Sequence, residues 1–231
     1  MRASRTPPDG YVQAGSVTLR GNRRLLLWMN VTSVPGLIIA GYGFAALASV
    51  IRPELFDDFI SWLSTSWSSS APASMTFIVA LFGLLLMPFV VLVLHEAVHG
   101  LAFWLYTGTR PEFGYRGWYA YAAAPGWYLG RNQYLVVGLA PLVGISVTAI
   151  VLVPALPAPL AIVVLFGAAL NAASATGDLY LCARIITTPA AAVIEDRHDG
   201  ITWLVPVAVA SRIPVRRVDR KPERTSRRKS L

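Results

Sequence analysis

Four long stretches of this chain carry almost no charge, and that pattern restricts it to a fold bathed largely in lipid. Residues 25–51 and 134–156 hold no charged side chain at all. Residues 75–106 stay uncharged until His95 and Glu96, and residues 160–186 until Asp178, with Arg184 near their end. The shortest of the four would be about 35 Å long as a helix, enough to cross a hydrocarbon core of about 30 Å. Charged residues make up 14% of the 231, whereas a soluble domain carries about a quarter. The expected fold class is therefore an all-α integral membrane protein with about four transmembrane helices.

The connecting segments set boundaries and orientation. Residues 1–23 contain Pro7, Pro8, Asp9 and Gly10 ahead of any apolar run, which is unlike a cleaved signal peptide and reads as a retained cytoplasmic segment. Residues 24–190 form the four-span unit. Residues 52–73, with Glu54, Asp57, Asp58 and a Ser-rich stretch, read as an external loop. The loop at 107–133 carries Arg110, Arg116 and Arg131, and its aromatic and small residues alternate in part. It is expected to form a small β-hairpin offering an edge strand to an unwound substrate, or else an interfacial aromatic belt. Residues 191–211 read as a second hairpin around Asp199-Gly200, and residues 212–231 as a basic disordered tail. Basic residues gather before the first span, in the 107–133 loop and in the tail, so both termini are expected in the cytoplasm of a multi-pass cell-membrane protein. That distribution explains the net charge of +8 better than nucleic acid does, and none is expected as a partner. The single cysteine, Cys182, excludes an intrachain disulfide and a Cys-rich structural zinc site.

Of twelve acidic residues only Glu96 and Asp178 lie inside an apolar run. An ionisable side chain there costs several kcal/mol without a partner, which makes it a functional candidate by default. Glu96 stands within His95-Glu96-Ala97-Val98-His99. Helical i and i+4 positions share a face, so both imidazoles can reach one zinc, with the glutamate placed to take a proton from the attacking water. A catalytic zinc takes three protein ligands and keeps one position open. Asp178 is the best third ligand: counted from the span entrances, His95 and His99 lie about 30–36 Å deep and Asp178 about 27 Å, on the same cytoplasmic side. The competing role for Asp178 is an ion pair with Arg184, although i+6 is a poor contact on a helix. Cys182 and His198 are poorer ligand candidates. Asn171 lies about two turns before Asp178, with Ser174 between them, and would serve either as an oxyanion donor or as a polar contact between helices.

These segments resemble the zincin peptidases of prokaryotic membranes, distant relatives of the site-2 protease class. The resemblance rests on HEAVHG (residues 95–100), RNQYLVVGLAPLVG (131–144) and NAASATGDLY (171–180), and spans roughly residues 75–205. It implies His95 and His99 as zinc ligands, Glu96 as general base and Asp178 as third ligand. Site-2 proteases usually carry that ligand in an Asp-Gly pair, whereas here the order is Gly177-Asp178-Leu179, closer to the zincin group.

The function expected from these readings is a zinc-dependent metallopeptidase that hydrolyses membrane-associated substrates near the cytoplasmic face. Its partners would be the bilayer and a membrane protein or peptide substrate. The alternative is an inactive zinc-binding scaffold or client-binding protein, which would need a closed coordination sphere. A transporter fits less well, because the polar residues concentrate at one depth and no internal repeat is evident.

Overall fold

The computed structural model describes residues 3–67, 73–117 and 119–211. In chain order the elements are β1 (Tyr11–Thr18), α1 (Arg23–Ile51), α2 (Leu55–Trp67), α3 (Ala73–Thr107), β2 (Glu112–Tyr115), β3 (Ala120–Ala123), β4 (Tyr128–Gly130), α4 (Arg131–Leu152), α5 (Ala158–Ser174), α6 (Thr176–Ile186), β5 (Val193–Arg197), β6 (Gly200–Pro206) and α7 (Val207–Ala210). The basic tail read at 212–231 lies outside the described residues.

The fold is mostly helical. Three helices are long and apolar enough to cross a membrane, and α5 with α6 make a fourth candidate that bends by 48° at its break. Their outward faces are apolar: Ile38, Ile39 and Tyr42 on α1, Leu101 and Leu105 on α3, and Val143, Val147 and Val151 on α4 are all exposed. Local chemistry sets the helix ends. The Asn22 side chain accepts from the Leu25 N–H at 3.1 Å and starts α1, and Gln133 reaches back to the Gly130 N–H at 2.9 Å at the head of α4, each satisfying an orphan donor. Pro157 precedes α5 and Pro159 sits in its first turn, where a missing N–H costs nothing.

The reading of 52–73 as an external loop is corrected by α2. Asp57 and Asp58 occupy its first turn, where negative charge suits the helix dipole. Leu55, wholly buried, and Phe59 one turn on pack with Ala48, Val153, Ala158 and Ala161, closing one end of the bundle. The charges that suggested a loop sit on the other side of an amphipathic helix.

At the opposite end lies a four-stranded antiparallel sheet in the order β1-β6-β5-β4. The expected hairpin after the last span is there, as β5 and β6, with His198-Asp199 at its turn and Gly200 at φ +146 on the exit. A Cβ on Gly200 would run into the Val17 carbonyl of β1. One face of the sheet carries the cross-strand rows Leu129–Ile194–Trp203 and Asp196–Ile201–Val17. That face packs on Ala102, Phe103, Tyr134, Val137 and Ile185 from the ends of α3, α4 and α6. The N-terminal segment thus supplies an edge strand to the sheet. The 107–133 loop forms the expected hairpin, β2 with β3. Gly100 lets it close on α3, since a Cβ there would meet Phe113 and Pro111.

Candidate metal centre

His95 and His99 stand one turn apart on the same face of α3, with rings 4.9 Å apart, and both are buried. The break at Ala175 brings Asp178 to them. On a straight helix Asn171 and Asp178 would share a face about 10 Å apart. The bend instead sets them on opposite edges of the His95 ring: Asn171 Oδ1 lies 2.9 Å from Nδ1 and Asp178 Oδ2 lies 3.0 Å from Nε2. Asp178 Oδ1 is 3.3 Å from His99 Nε2. No contact with Arg184 is needed to account for the carboxylate.

Both imidazoles are held by their other nitrogen. His99 Nδ1 donates to the Val137 carbonyl at 2.9 Å. That carbonyl is free to accept because its helical partner would be the N–H of residue 141, which is Pro141. His95 Nδ1 donates to Asn171 Oδ1, with Ser174 Oγ 3.3 Å away. Asn171 is fully buried, and its Nδ2 donates to the Pro141 carbonyl at 3.1 Å. With Nδ1 protonated in each ring, the Nε2 lone pairs aim at the carboxylate. Three electron-rich groups so arranged need positive charge between them.

A metal ion fits that need. The donor atoms of His95, His99 and Asp178 lie within 4.8 Å of one another. Ligands about 2.1 Å from a tetrahedral zinc stand about 3.4 Å apart, close to the 3.0 and 3.3 Å between each Nε2 and Asp178. Among the described residues this group has three members, which leaves a fourth tetrahedral position. An imidazole whose second nitrogen donates to a fixed acceptor is the usual support for such a ligand. Cys182 is buried against Gly138, and His198 bonds Glu112 at 2.7 Å, so neither joins the centre.

Glu96 borders two cavities that meet at the centre. One, of about 460 Å³, runs from His95, Glu96 and Asp178 to Leu26, Met29 and Leu37 of α1. The other, about 110 Å³, reaches from Glu96 and His99 under the sheet to Asp196. The strand β3 lies between them. Its hairpin closes with Arg116 N–H on the Tyr119 carbonyl, and bonded pairs alternate in an antiparallel ladder. Ala120 and Ala122 therefore turn their N–H and C=O away from β2, and the Ala122 backbone lies near the Glu96 carboxylate.

Asp196 anchors this region from the sheet. Its Oδ2 accepts from the Ala124 N–H at 2.8 Å and its Oδ1 from the Tyr134 hydroxyl at 2.6 Å, so one carboxyl ties β5 to the end of β3 and to α4. Burial pushes this carboxyl up from 3.8 to about 6, with the Tyr134 and Ala124 hydrogen bonds pulling the other way. The folded protein then holds the proton more tightly than the unfolded chain does. The stabilisation is full below about pH 4, lost as pH rises towards 6, and level above. Relative to Asp196→Asn, the wild type should lose about 2 kcal/mol between pH 4 and 7. Unfolding of both proteins across that range is the measurement, and a pH-independent difference would contradict the assignment.

Helices that converge a His-Glu-x-x-His pair and a carboxylate on one point define a candidate metallohydrolase centre. Residues 88–193 match the family model described as putative zincin peptidase, a stretch that contains His95, Glu96, His99, Asn171 and Asp178. That description supports a peptidase and implies zinc. No curated protein and no solved structure matches the chain.

Of the residues singled out from sequence, His95, His99 and Asp178 come together, Glu96 lies beside them, and Asn171 sits behind His95. The acceptor on Val137 and the Tyr134–Asp196 anchor were missed. Pro141 inside an apolar run was the available signal for the first, because it frees a carbonyl four residues back.

Proposed function

We propose that the chain is a zinc-dependent metallopeptidase embedded in a membrane, hydrolysing membrane-associated polypeptides near the cytoplasmic face. The observation that carries this reading is the convergence of both Nε2 atoms on Asp178 beside Glu96, at the junction of two cavities. Exposed apolar belts on α1, α3 and α4 support the bilayer setting. The Arg-bearing hairpin and sheet pack at the metal end of the bundle and the acidic α2 at the other, which supports cytoplasmic termini.

When bound by His95, His99 and Asp178, zinc would polarise the scissile carbonyl and make water more acidic. Glu96 takes the proton from the attacking water and hands it to the leaving amine. The Val137 carbonyl and Asn171 hold the two imidazoles in the tautomer that exposes Nε2. The free edge of β3 receives a substrate that has left helical form, since helical hydrogen bonds shield a scissile carbonyl. Three ligands rather than four argue for an enzyme over a scaffold.

In this reading Asn171 is a positioning residue rather than an oxyanion donor, because its side chain bonds His95 and Pro141. Asn171→Ala should weaken zinc binding about 10- to 100-fold, measured by competition with a chelator. Unchanged affinity would return Asn171 to a packing role. The reading as a whole is tested by zinc content and by cleavage of fluorescein-labelled casein, wild type against Glu96→Gln.

A further inference from the structure

Tyr119 enters β3 from the hairpin turn, and its hydroxyl is buried without a hydrogen-bond partner among the described residues. A buried phenol O–H normally has one, because an unpaired polar group loses its water without compensation. Arg116, Asp199 and Arg20 carry charges that act on it, and none of them bonds it. Tyr121 lies with its ring 6.4 Å away, and that ring is itself flanked by Arg116 and His198. Burial raises the phenol above its ordinary value, so it keeps its proton at neutral pH and can only be waiting for an acceptor or accepting from a donor.

The position of the ring says what would satisfy it. Tyr119 borders both cavities together with Glu96, Ala120 and Asp178. It is the residue just before the two alanines whose N–H and C=O face the free edge of β3. Ala120 and Ala122 offer only backbone groups there, and an extended peptide is what pairs with such an edge. The apolar wall of the larger cavity, with Leu26, Met29 and Leu37, suits apolar side chains on that peptide. We propose that Tyr119 is a substrate-binding residue, whose hydroxyl turns out of its buried position to donate to a backbone carbonyl of an extended peptide lying through both cavities along the free edge of β3. The inference rests on the peptidase reading, which it deepens by naming a contact and the conformation of the substrate.

The test separates binding from cleavage. Zinc-loaded full-length Glu96→Gln protein in detergent is compared with Glu96→Gln/Tyr119→Phe for capture of fluorescein-labelled casein, an unfolded chain, by fluorescence anisotropy. Loss of one neutral hydrogen bond should weaken capture about fivefold. In the otherwise native enzyme, Tyr119→Phe should raise KM by a similar factor and leave kcat within about twofold. Because the lost oxygen bonds nothing in the free protein, Tm should hold or rise. Equal capture by the two proteins, no capture by Glu96→Gln, or a Tm lowered by several degrees would overturn the assignment. If the wild type fails to cut casein while Tyr119→Phe still weakens capture, the peptidase reading falls and the Tyr119 contact stands.

Discussion

Glu96→Gln should leave one zinc per chain in place and lower the cleavage rate about a thousandfold, the middle of the range for loss of a general base. Gln keeps the size of the side chain, and Phe113 and Pro111 still close on Gly100, so the hairpin should remain seated on α3. What it loses is the capacity to accept a proton at neutral pH. Glu96 touches none of the three donor atoms that converge on the metal position, so zinc content should not follow activity. Zinc per protein by mass spectrometry, kcat on labelled casein and Tm, measured on the same preparations, distinguish the outcomes. Retained zinc with full activity would remove Glu96 from the mechanism. Lost zinc would make it a ligand and close the fourth position, which would favour the scaffold reading instead.

The candidate centre was legible in the sequence because its cost is written there. Charge is nearly absent from the apolar runs, so each ionisable residue within them marks a compensated site, and helical periodicity places His95 and His99 on one face. The carboxylate expected as third ligand was placed by depth, which survives a bend: Asp178 lies near the histidines even though α5 ends at Ser174. The direction of Asn171 did not survive it. A face computed for a continuous helix puts Asn171 beside Asp178, whereas the break at Ala175 puts them on opposite nitrogens of His95. The motif around the break, Ala173-Ser174-Ala175-Thr176-Gly177, has small residues and a glycine but no proline, so nothing local announced a 48° turn.

The sheet was harder to read for a different reason. The strand β5-β6 hairpin is local, and a two-residue turn signals it. The pairing of β1 with β6 joins residue 11 to residue 206, and Gly15 interrupts the alternation because the Trp203 indole occupies the space of its Cβ. No window of sequence contains both partners. The same holds for α2, whose acids were visible but whose apolar face acquires meaning only against Ala158 and Ala161 of a helix a hundred residues away. The consequence for the site is direct: Asp196 looks like a surface acid in a hairpin, and only the sheet register turns it inward to Tyr134 and Ala124.

Asp178→Ala should lose zinc more completely than any change behind the ligands. Its two oxygens face the two histidines separately, Oδ2 to His95 and Oδ1 to His99, so removing it takes away both a ligand and the charge that balances the ion. Two imidazoles alone leave a divalent ion with half of a tetrahedral set. A supporting residue costs about 10- to 100-fold in affinity, so Asp178→Ala should exceed the loss in Asn171→Ala, and purified protein should carry well under a tenth of the wild-type zinc. Arg184→Ala is the control for the ion-pair alternative and should keep its zinc. The order of the effects carries the argument. If Asn171→Ala costs more metal than Asp178→Ala, ligand and support have been exchanged, and the bend at Ala175 serves some purpose other than delivering a carboxylate. If Asp178→Ala keeps its zinc, the two histidines recruit a different third group, and Asp178 is not a ligand. With Asp178→Ala empty and Arg184→Ala full, the break between α5 and α6 becomes the feature that completes the centre, since no straight span could offer Asn171 to one nitrogen of His95 and Asp178 to the other.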